Sequence, residues 1–433
     1  MRSNSSDPTL TARLKGNAVA VCVAVGLVLG LAAPVSAEEP ADATGVERWL
    51  DNEYFKVYLN VRARIELADF DGLSSSQAYT VRTRLGVGTK PWYGLSVFAE
   101  GENIFSFADG EYFDTVESPT GQSPIADPEE TELNQLFLRY QNPDLLGLNF
   151  VGGRQRIILD DARFVGNVGW RQNEQTFDSA LVAFAPVEHL TATYAYLWDV
   201  RRILGENSRD FDSQSHVINV SYGRWTAAKI VAFAYLLDLE NSHQLKAFAK
   251  AVSSNSYGFR VSGKQAISGP WSVNYAGSYA VQMDAGDNPV NYTAHYVAAE
   301  AGLGNSDLGA LAVGYELLGS DDGKASFTTP LATLHKFNGW ADAFLDNGGP
   351  NGLQDLYVSL APKLPWGLKG KLIYHHFWSD ERTDSLADEV DLVLSKPINK
   401  YLTVLTKGAW FDGESGSGPP DGWRYWLEVT FKY

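Results

Sequence analysis

The sequence predicts an all-β fold, a transmembrane antiparallel up-and-down β-barrel of about eighteen strands. Three observations lead to this prediction. An apolar segment near the N-terminus has the features of an export signal. Beyond it, segments with alternating apolar and polar residues recur along the whole chain. The composition is rich in glycine and aromatic residues, yet no later apolar stretch is long enough for a membrane-spanning helix.

Residues 1–37 are predicted to be a signal peptide. Positively charged residues precede an apolar stretch over residues 18–33, and residues 35–37 match the small-x-small pattern of a cleavage site. A membrane anchor is the alternative, but the apolar stretch is shorter than the ~20 residues that a spanning helix needs. Cleavage after Ala37 removes Cys22, the single cysteine, so the mature chain has no disulfide or thiol chemistry.

The remaining chain is predicted to form one domain. Residues 38–53 are expected to be a short periplasmic segment, and residues 54–433 the outer-membrane barrel, with no internal linker. The clearest strand is 54–68, in which Val57, Leu59 and Val61 alternate with charged or polar residues. Such alternation turns one face towards lipid and the other towards water.

Eighteen segments follow this pattern, with boundaries good to a few residues. They are 54–68, 78–90, 93–103, 131–141, 146–158, 175–185, 189–199, 213–224, 227–238, 254–264, 268–282, 291–302, 306–317, 353–362, 366–378, 385–397, 400–410 and 422–433.

The connections between these segments alternate in length. Every second connection is a short turn, whereas the others are mostly longer and polar, the largest being 104–130 and 318–352. Short periplasmic turns and long external loops are typical of outer-membrane barrels, and an even strand number leaves both ends of the barrel in the periplasm. Four tryptophans near the short turns fit an interfacial aromatic girdle: Trp92, Trp225, Trp271 and Trp366.

The last segment, 422–433, has an apolar face that ends on Tyr433. An aromatic final residue resembles the signal that barrel-assembly machinery reads on outer-membrane proteins. The alternative is the last strand of a soluble sandwich, which rarely has so aromatic a face.

The formal net charge of −17 is concentrated in loops. Loop 104–130 has seven acidic residues and no lysine or arginine, and we expect it to form an acidic outer rim. The polar faces of the strands favour the opposite sign. The predicted lumen cations are Lys56, Arg62, Arg64, Arg82, Arg84, Arg139, Arg260, Lys264, Lys369, Lys371 and Arg424, joined by Arg154 and Arg156.

Two interpretations of these arginines remain open. They pair with lumen glutamates and stiffen the wall, or their surplus over the first five strands forms a ladder for an anionic solute. A low-dielectric wall concentrates counter-ions, and arginine binds carboxylates through two hydrogen bonds. Different residues can serve the two roles.

Several motifs resemble the alginate export family of outer-membrane barrels. They are ELNQ at 132–135, GRQR at 153–156, DARFVGNVGWRQ at 161–172, TFD at 176–178, FTTPLATLHKFNGWAD at 327–342 and GLQDLY at 352–357. The resemblance covers most of the mature chain. It implies an eighteen-stranded monomeric pore with a basic constriction that passes a linear polyuronate.

The resemblance also implies which arginines bind the solute. The residues expected to determine solute selectivity are Arg64, Arg139, Arg154 and Arg156, with Arg163 and Arg171 near the external mouth. Arg154 and Arg156 lie within a matching local motif, whereas Arg64 and Arg139 match by strand position only. Together with the neighbouring Arg62, Arg82 and Arg84, these form the predicted substrate-binding set.

No catalytic or metal site is predicted, and no cofactor. His335 and Asp342 in loop 318–352 are interpreted as packed loop residues, since a metal or acid–base pair needs further ligands or a substrate cleft. His375 and His376 are adjacent in a strand, so their side chains point to opposite faces and one ion cannot readily use both.

The sequence therefore predicts a pore, located in the outer membrane of a Gram-negative-type cell, and not an enzyme. The leading function is passage of an anionic polysaccharide such as alginate. The alternative is a selective porin for small organic anions. The expected partners are lipid and lipopolysaccharide, the barrel-assembly machinery and the anionic solute, with a periplasmic export partner left open and no nucleic acid.

Overall fold

The computed structural model describes residues 54–108, 110–116, 121–205, 210–225, 227–241 and 246–433. The predicted signal peptide and the segment 38–53 lie outside these residues. The described chain forms one antiparallel sheet, in which neighbouring wall strands pair and the last strand pairs with the first. The predicted closed barrel is therefore confirmed.

The wall contains nineteen strand segments. They are β1 (Phe55–Phe70), β2 (Ser76–Thr89), β3 (Leu95–Ser106), β4 (Glu130–Asn142), β5 (Leu148–Gln155), β6 (Thr176–Phe184), β7 (Leu190–Arg201), β8 (Phe211–Trp225), β9 (Ala228–Leu237), β10 (Leu239–Glu240), β11 (Ser254–Ser268), β12 (Trp271–Asp284), β13 (Thr293–Asn305), β14 (Gly309–Leu318), β15 (Leu353–Pro362), β16 (Lys369–Ser379), β17 (Ser385–Pro397), β18 (Leu402–Gly413) and β19 (Gly422–Lys432).

Both β9 and the short β10 pair with β8, so together they occupy one strand position. The wall therefore has eighteen strand positions. Each of the eighteen predicted segments overlaps one of them. The difference that bears on the lumen concerns β5, which ends at Gln155 although the sequence pattern suggested a strand to residue 158. There the chain leaves the wall and enters the lumen.

Alternation explains how the wall separates lipid from lumen. In β1, Arg62, Arg64 and Glu66 are buried inside the barrel, whereas the intervening Ala63 and Ile65 stay partly exposed on the outside. Because a strand turns successive side chains to opposite faces, one strand serves both environments. No helix among the residues described combines the length and apolar character that a membrane crossing requires.

Short turns join the strands at one end, and long loops join them at the other. The tryptophans predicted for a girdle lie at the short-turn end and are exposed, from 38% for Trp271 to 84% for Trp366. The long-loop end carries the helix α1 (Lys246–Ala251) and two of three short 3-10 helices, Leu334–Lys336 and Gly349–Asn351; the third, Pro365–Gly367, is in a short turn.

Two long loops fold into the barrel, and we name them loop A (residues 156–175) and loop B (residues 319–352). They contact each other directly: the Gly166 amide donates to the Leu331 carbonyl at 2.9 Å, and the Thr333 amide to the Ala162 carbonyl at 3.0 Å. A Cβ atom on Gly166 would lie 2.3 Å from Thr333 Oγ1, so this close approach requires glycine. Loops A and B therefore form one joined body inside the wall.

The apolar core lies between this body and the wall. Phe164 of loop A packs on Phe233 and Tyr296 of the wall and on Phe327 of loop B, with ring centroids 4.8–5.9 Å apart. Phe344 of loop B packs in the same way on Phe377 at 4.7 Å. Burial of aromatic rings is a large favourable contribution, so these contacts fix both loops inside the barrel.

Candidate solute path through the barrel

The first two strands bring four of the predicted arginines together. The register pairs Arg62 with Arg82 across β1 and β2, with Arg64 and Arg84 beside them on the same lumen face. All four side chains are buried rather than open to solvent. Buried guanidinium groups need hydrogen-bond partners, because an unpaired buried charge is costly.

Loop A supplies many of those partners. Arg62 donates to the carbonyl oxygens of Trp170 at 2.7 Å and Gly169 at 2.9 Å. Arg64 donates to the Trp170 carbonyl at 2.6 Å, and its guanidinium lies 4.4 Å from the centroid of the Trp170 ring. These arginines therefore hold loop A against the wall.

Carboxylates supply the other partners. Arg64 pairs with Glu428 of β19 at 2.8 Å and with Asp127 at 3.3 Å. Arg84 pairs with Glu102 and, at 3.2 Å, with Glu174 of loop A. Asp127, which the sequence assigned to an acidic outer rim, is fully buried beside Arg64. Arg82 differs, because it donates to Asn60 Oδ1 at 2.6 Å and the Gln172 carbonyl at 3.4 Å.

The two arginines of loop A are also committed to ion pairs. Arg163 meets Glu316 of β14 through two hydrogen bonds, at 2.7 and 3.2 Å. Arg171 pairs with Glu66 of β1 and with Asp342 of loop B. Burial opposes the charge on Arg171, but the two carboxylates outweigh it and raise its pKa. Both residues join the loops to the wall.

Glu174 of loop A is held by two arginines and two side-chain amides. Burial opposes its ionisation, but Arg84 and Arg156 outweigh burial and lower the pKa of Glu174 to about 2. The carboxylate also accepts hydrogen bonds from Asn134 and Asn167, both at 2.7 Å. The result is a stiff ionic lattice between the wall and loop A.

Arg154 faces the opposite direction from the one expected. The register places it opposite Leu136, which is 46% exposed on the outer face, and opposite Asp178. Two hydrogen bonds join Arg154 to Asp178, at 2.7 and 3.1 Å. The alternation of β5 is the reason: Val151 and Gln155 are buried inside, so the residue before Gln155 points outwards. The sequence-based assignment of Arg154 to the lumen is therefore wrong.

Among the predicted arginines, Arg156 keeps part of its side chain exposed, and Arg139 makes no ion pair or side-chain hydrogen bond with the described residues. The Arg156 side chain is 30% exposed, although it pairs with Glu100 at 2.6 Å and with Glu174. Arg139 is on the lumen face of β4, stacked 5.2 Å from the Phe137 ring. Its buried Nε has no hydrogen-bond partner, and no carboxylate of the described chain forms an ion pair with it.

Sequence reasoning missed Lys336 of loop B as a lumen cation. Its ammonium is exposed and donates to the carbonyl of Asp161 at 2.6 Å. The Asp161 carboxylate in turn pairs with Arg260 of β11 at 3.0 Å. Lys336 stands in the loop B motif next to Phe337, but only the inward fold of the loop brings it into the lumen.

The histidines are structural in this arrangement. His335 Nδ1 is 2.8 Å from Asp342, and its Nε2 is 2.6 Å from Lys407 Nζ, so protein groups occupy both ring nitrogens. His375 points inwards to Asp355 and His376 outwards to Asp388. No group of three or more His, Cys, Asp or Glu residues suited to a metal ion is found in the part of the chain that the structure describes.

Comparison with known proteins gives a family and several similar barrels. A family model described as alginate export matches residues 53–400. None of the curated proteins matches the chain. Solved structures that match include Pseudomonas aeruginosa OpdQ, with 14% identity and a TM-score of 0.65, and Pseudomonas aeruginosa OpdK with vanillate, with the same two values. Each match covers 88% of this chain and 98% of the other.

Acinetobacter baumannii OccAB4 is similar as well, with 13% identity, a TM-score of 0.64, and coverage of 88% of this chain and 98% of that one. At such identities the likeness shows the fold alone. With the family match and the closed eighteen-position wall, it identifies an outer-membrane channel.

Proposed function

The chain belongs to the alginate export family, and we propose that its channel passes a linear anionic polysaccharide such as a polyuronate. The observation that carries this proposal is Arg139, a lumen-facing guanidinium that no carboxylate of the described chain neutralises. A cation left uncompensated inside a low-dielectric wall attracts a carboxylate from the solute.

The solute-contacting residues are a subset of the predicted arginines. Arg139 and Arg156 contact the passing carboxylates, and Lys336 of loop B joins them. Arg82 stands apart, because it donates only to an amide oxygen and a carbonyl oxygen of the described chain. The remaining lumen arginines stabilise the ionic lattice that holds the loops, because carboxylates and backbone carbonyls accept most of their hydrogen bonds. They are Arg62, Arg64, Arg84, Arg163 and Arg171.

The three cations Arg139, Arg156 and Lys336 suit a repeating anion. A solute with one carboxylate per sugar can move from one cation to the next without a deep free-energy minimum at any one of them. Such a sparse track favours passage over tight binding. The buried lattice contributes rigidity to the path rather than charge.

Uptake of a small organic anion is the second candidate. It is supported by loops A and B, which join inside the lumen. One of the similar solved structures is of OpdK with vanillate, a small aromatic carboxylate. The same cations serve either solute, so the two candidates differ in the length of the anion that enters.

Around the channel, we propose that residues 1–37 are an export signal and that residues 38–53 lie in the periplasm. The assembly machinery recognises β19, and lipid with lipopolysaccharide surrounds the wall. The aromatic outer face of the last strand supports this proposal.

Planar-bilayer recording tests the proposed function. Reversal potentials across a salt gradient are expected to show anion preference, and polyuronate oligomers are expected to block the current. Arg139→Gln and Lys336→Gln should each reduce the preference and weaken the block. Lys363→Gln is the matched control, because Lys363 is an exposed lysine of a short turn. Cation preference in the unaltered protein, or variants identical to the control, contradicts the proposal. Block by monomeric carboxylates alone favours the second candidate.

A further inference from the structure

A cavity of about 360 Å³ opens at the long-loop end, away from the cations of the lumen. Its walls come from loop B and from two other connections, residues 380–384 and 414–421. The volume falls within the ~300–1,000 Å³ that small-molecule sites usually occupy. We name it the mouth pocket.

The floor of the mouth pocket is apolar and rigid. Phe344 and Leu386 form it, and both are largely buried. The Phe344 ring is fixed from below by Phe377 at 4.7 Å and Phe411 at 5.8 Å between centroids. An aromatic floor held in this way offers a flat surface for the C–H face of a small ring.

The sides of the mouth pocket are polar. Arg382 and Asp384 line it from the 380–384 connection, and Asp346 lines it from loop B. Neither Arg382 nor Asp384 makes a side-chain hydrogen bond or an ion pair with the described residues, which distinguishes Arg382 from the committed arginines of the lattice. Arg382 therefore offers a donor and Asp384 an acceptor to a ligand. Asp346 offers Oδ2, because its Oδ1 accepts from the Gly348 amide at 3.2 Å.

The third wall is backbone. The Glu414 amide donates to the Leu386 carbonyl at 2.8 Å, and the Ser417 hydroxyl donates to the Ser385 carbonyl at 2.8 Å. A Cβ atom on Gly418 would lie 1.9 Å from the Leu386 carbonyl oxygen, so the loop is folded tightly onto β17. The wall is thus preformed, and its glycines leave peptide groups accessible.

We propose that the mouth pocket binds one pyranose ring of a hydroxyl-rich saccharide. Its apolar face would lie on Phe344 and Leu386, Asp384 and Asp346 would accept hydrogen bonds from neighbouring hydroxyls, and Arg382 would donate one. Two carboxylates against one guanidinium favour hydroxyl recognition over capture of a free anion. The choice of a sugar rests on the proposed function, since a sugar polymer would leave or enter past this pocket.

Calorimetric titration of the detergent-solubilised protein tests the site, with a mannuronate tetrasaccharide and a neutral mannose tetrasaccharide as probes. We expect both to bind. Loss of a hydrogen bond to a charged group weakens binding about tenfold or more, and this is the change expected for Asp384→Asn and Arg382→Gln. Asp322→Asn is the matched control, an exposed acid of the same loop B outside the pocket.

Binding of neither tetrasaccharide overturns the proposal, and so does binding that Asp384→Asn and Arg382→Gln leave unchanged. Circular dichroism on each variant checks that the barrel has formed. Block of the channel current by polyuronate is measured on the same variants. Block that persists in the Asp384→Asn variant, combined with unchanged tetrasaccharide affinity, refutes the mouth pocket and leaves the proposed function standing. Tetrasaccharide binding at the pocket without any block of the current supports the mouth pocket and refutes the proposed function.

Discussion

Lys407 Nζ, on β18, lies 2.6 Å from Nε2 of His335 in loop B. The same ammonium is 4.1 Å from the centroid of the Trp170 ring of loop A and 3.7 Å from that of Trp340 of loop B. One wall lysine thus contacts both inner loops. Cation–π contacts are strongest when the cation is desolvated, as it is here.

Replacement of this lysine tests whether the contact holds the loops in place. Lys407→Met keeps the length of the side chain but leaves His335 Nε2 without its donor, at a cost of about 1–3 kcal/mol. We expect higher and noisier single-channel conductance as the loops loosen. Lys363→Met, at an exposed lysine of a short turn, is the control. Equal conductance in both variants would show that Lys407 does not secure the loops.

The pH dependence of the channel is expected to follow His335. Burial lowers the pKa of His335 to about 3 from the ordinary 6.5, although Asp342 acts in the opposite direction. An undocked histidine therefore takes up a proton at a higher pH than the docked one, so docking of loop B is strongest above pH 6.5 and weakens as the pH falls towards 3.

Asp342, Arg171 and Lys407 face this histidine. The pKa of Asp342 lies below its ordinary 3.8, so its contribution is lost only under more acidic conditions. Conductance noise should grow between pH 6.5 and pH 3.8, and His335→Gln should remove that growth. Noise that changes with pH equally in the His335→Gln variant would assign the effect to another group.

Gly166 is expected to be irreplaceable at the contact between the loops. In Gly166→Ala the new Cβ meets Thr333 Oγ1 at 2.3 Å and Ala162 Cβ at 2.7 Å, so the loops must separate. Overpacking of this kind costs about 1–3 kcal/mol. Thermal melting followed by circular dichroism should show a lower midpoint, with partial recovery in Gly166→Ala combined with Thr333→Ala. Gly223→Ala, where a new Cβ meets no atom nearer than Lys229 Cγ at 4.0 Å, controls for the loss of glycine alone, and an equal loss there would discount the contact.

The outward direction of Arg154 predicts a negative result. Arg154→Gln removes the ion pair with Asp178 on the outer face but no charge from the lumen. Ion selectivity should therefore equal that of the unaltered protein, whereas Arg139→Gln lowers it. A selectivity change in Arg154→Gln as large as that in Arg139→Gln would place Arg154 on the solute path after all.

The wall was predictable because it depends on local alternation. The pattern of β1 and the spacing of the turns are properties of neighbouring residues, and they yielded all eighteen wall positions. Arg154 was misassigned because the pattern of β5 is interrupted by Gly152 and Gly153, which have no side chains to mark a face. A motif match cannot correct a shift of one residue in the alternation, and such a shift assigns a side chain to the wrong face of the sheet.

The partners of the lumen arginines were not predictable in the same way. Arg62 donates to backbone carbonyls of residues 169–171, more than a hundred positions later in the chain. Any loop has carbonyls, so no residue type signals this contact. Whether an arginine holds a loop or meets a solute depends on how the loop folds, and the strand pattern contains no information about that.

The contact between Gly166 of loop A and Leu331 of loop B has a consequence for biogenesis. Loop A precedes β6, whereas loop B follows β14, so the two halves of the internal body come from distant parts of the polypeptide. Contacts between such distant segments form late in folding. A partly inserted intermediate that lacks loop B would leave the pore open. Leakage of solutes through the membrane should therefore cease only once the second half of the sheet has been added.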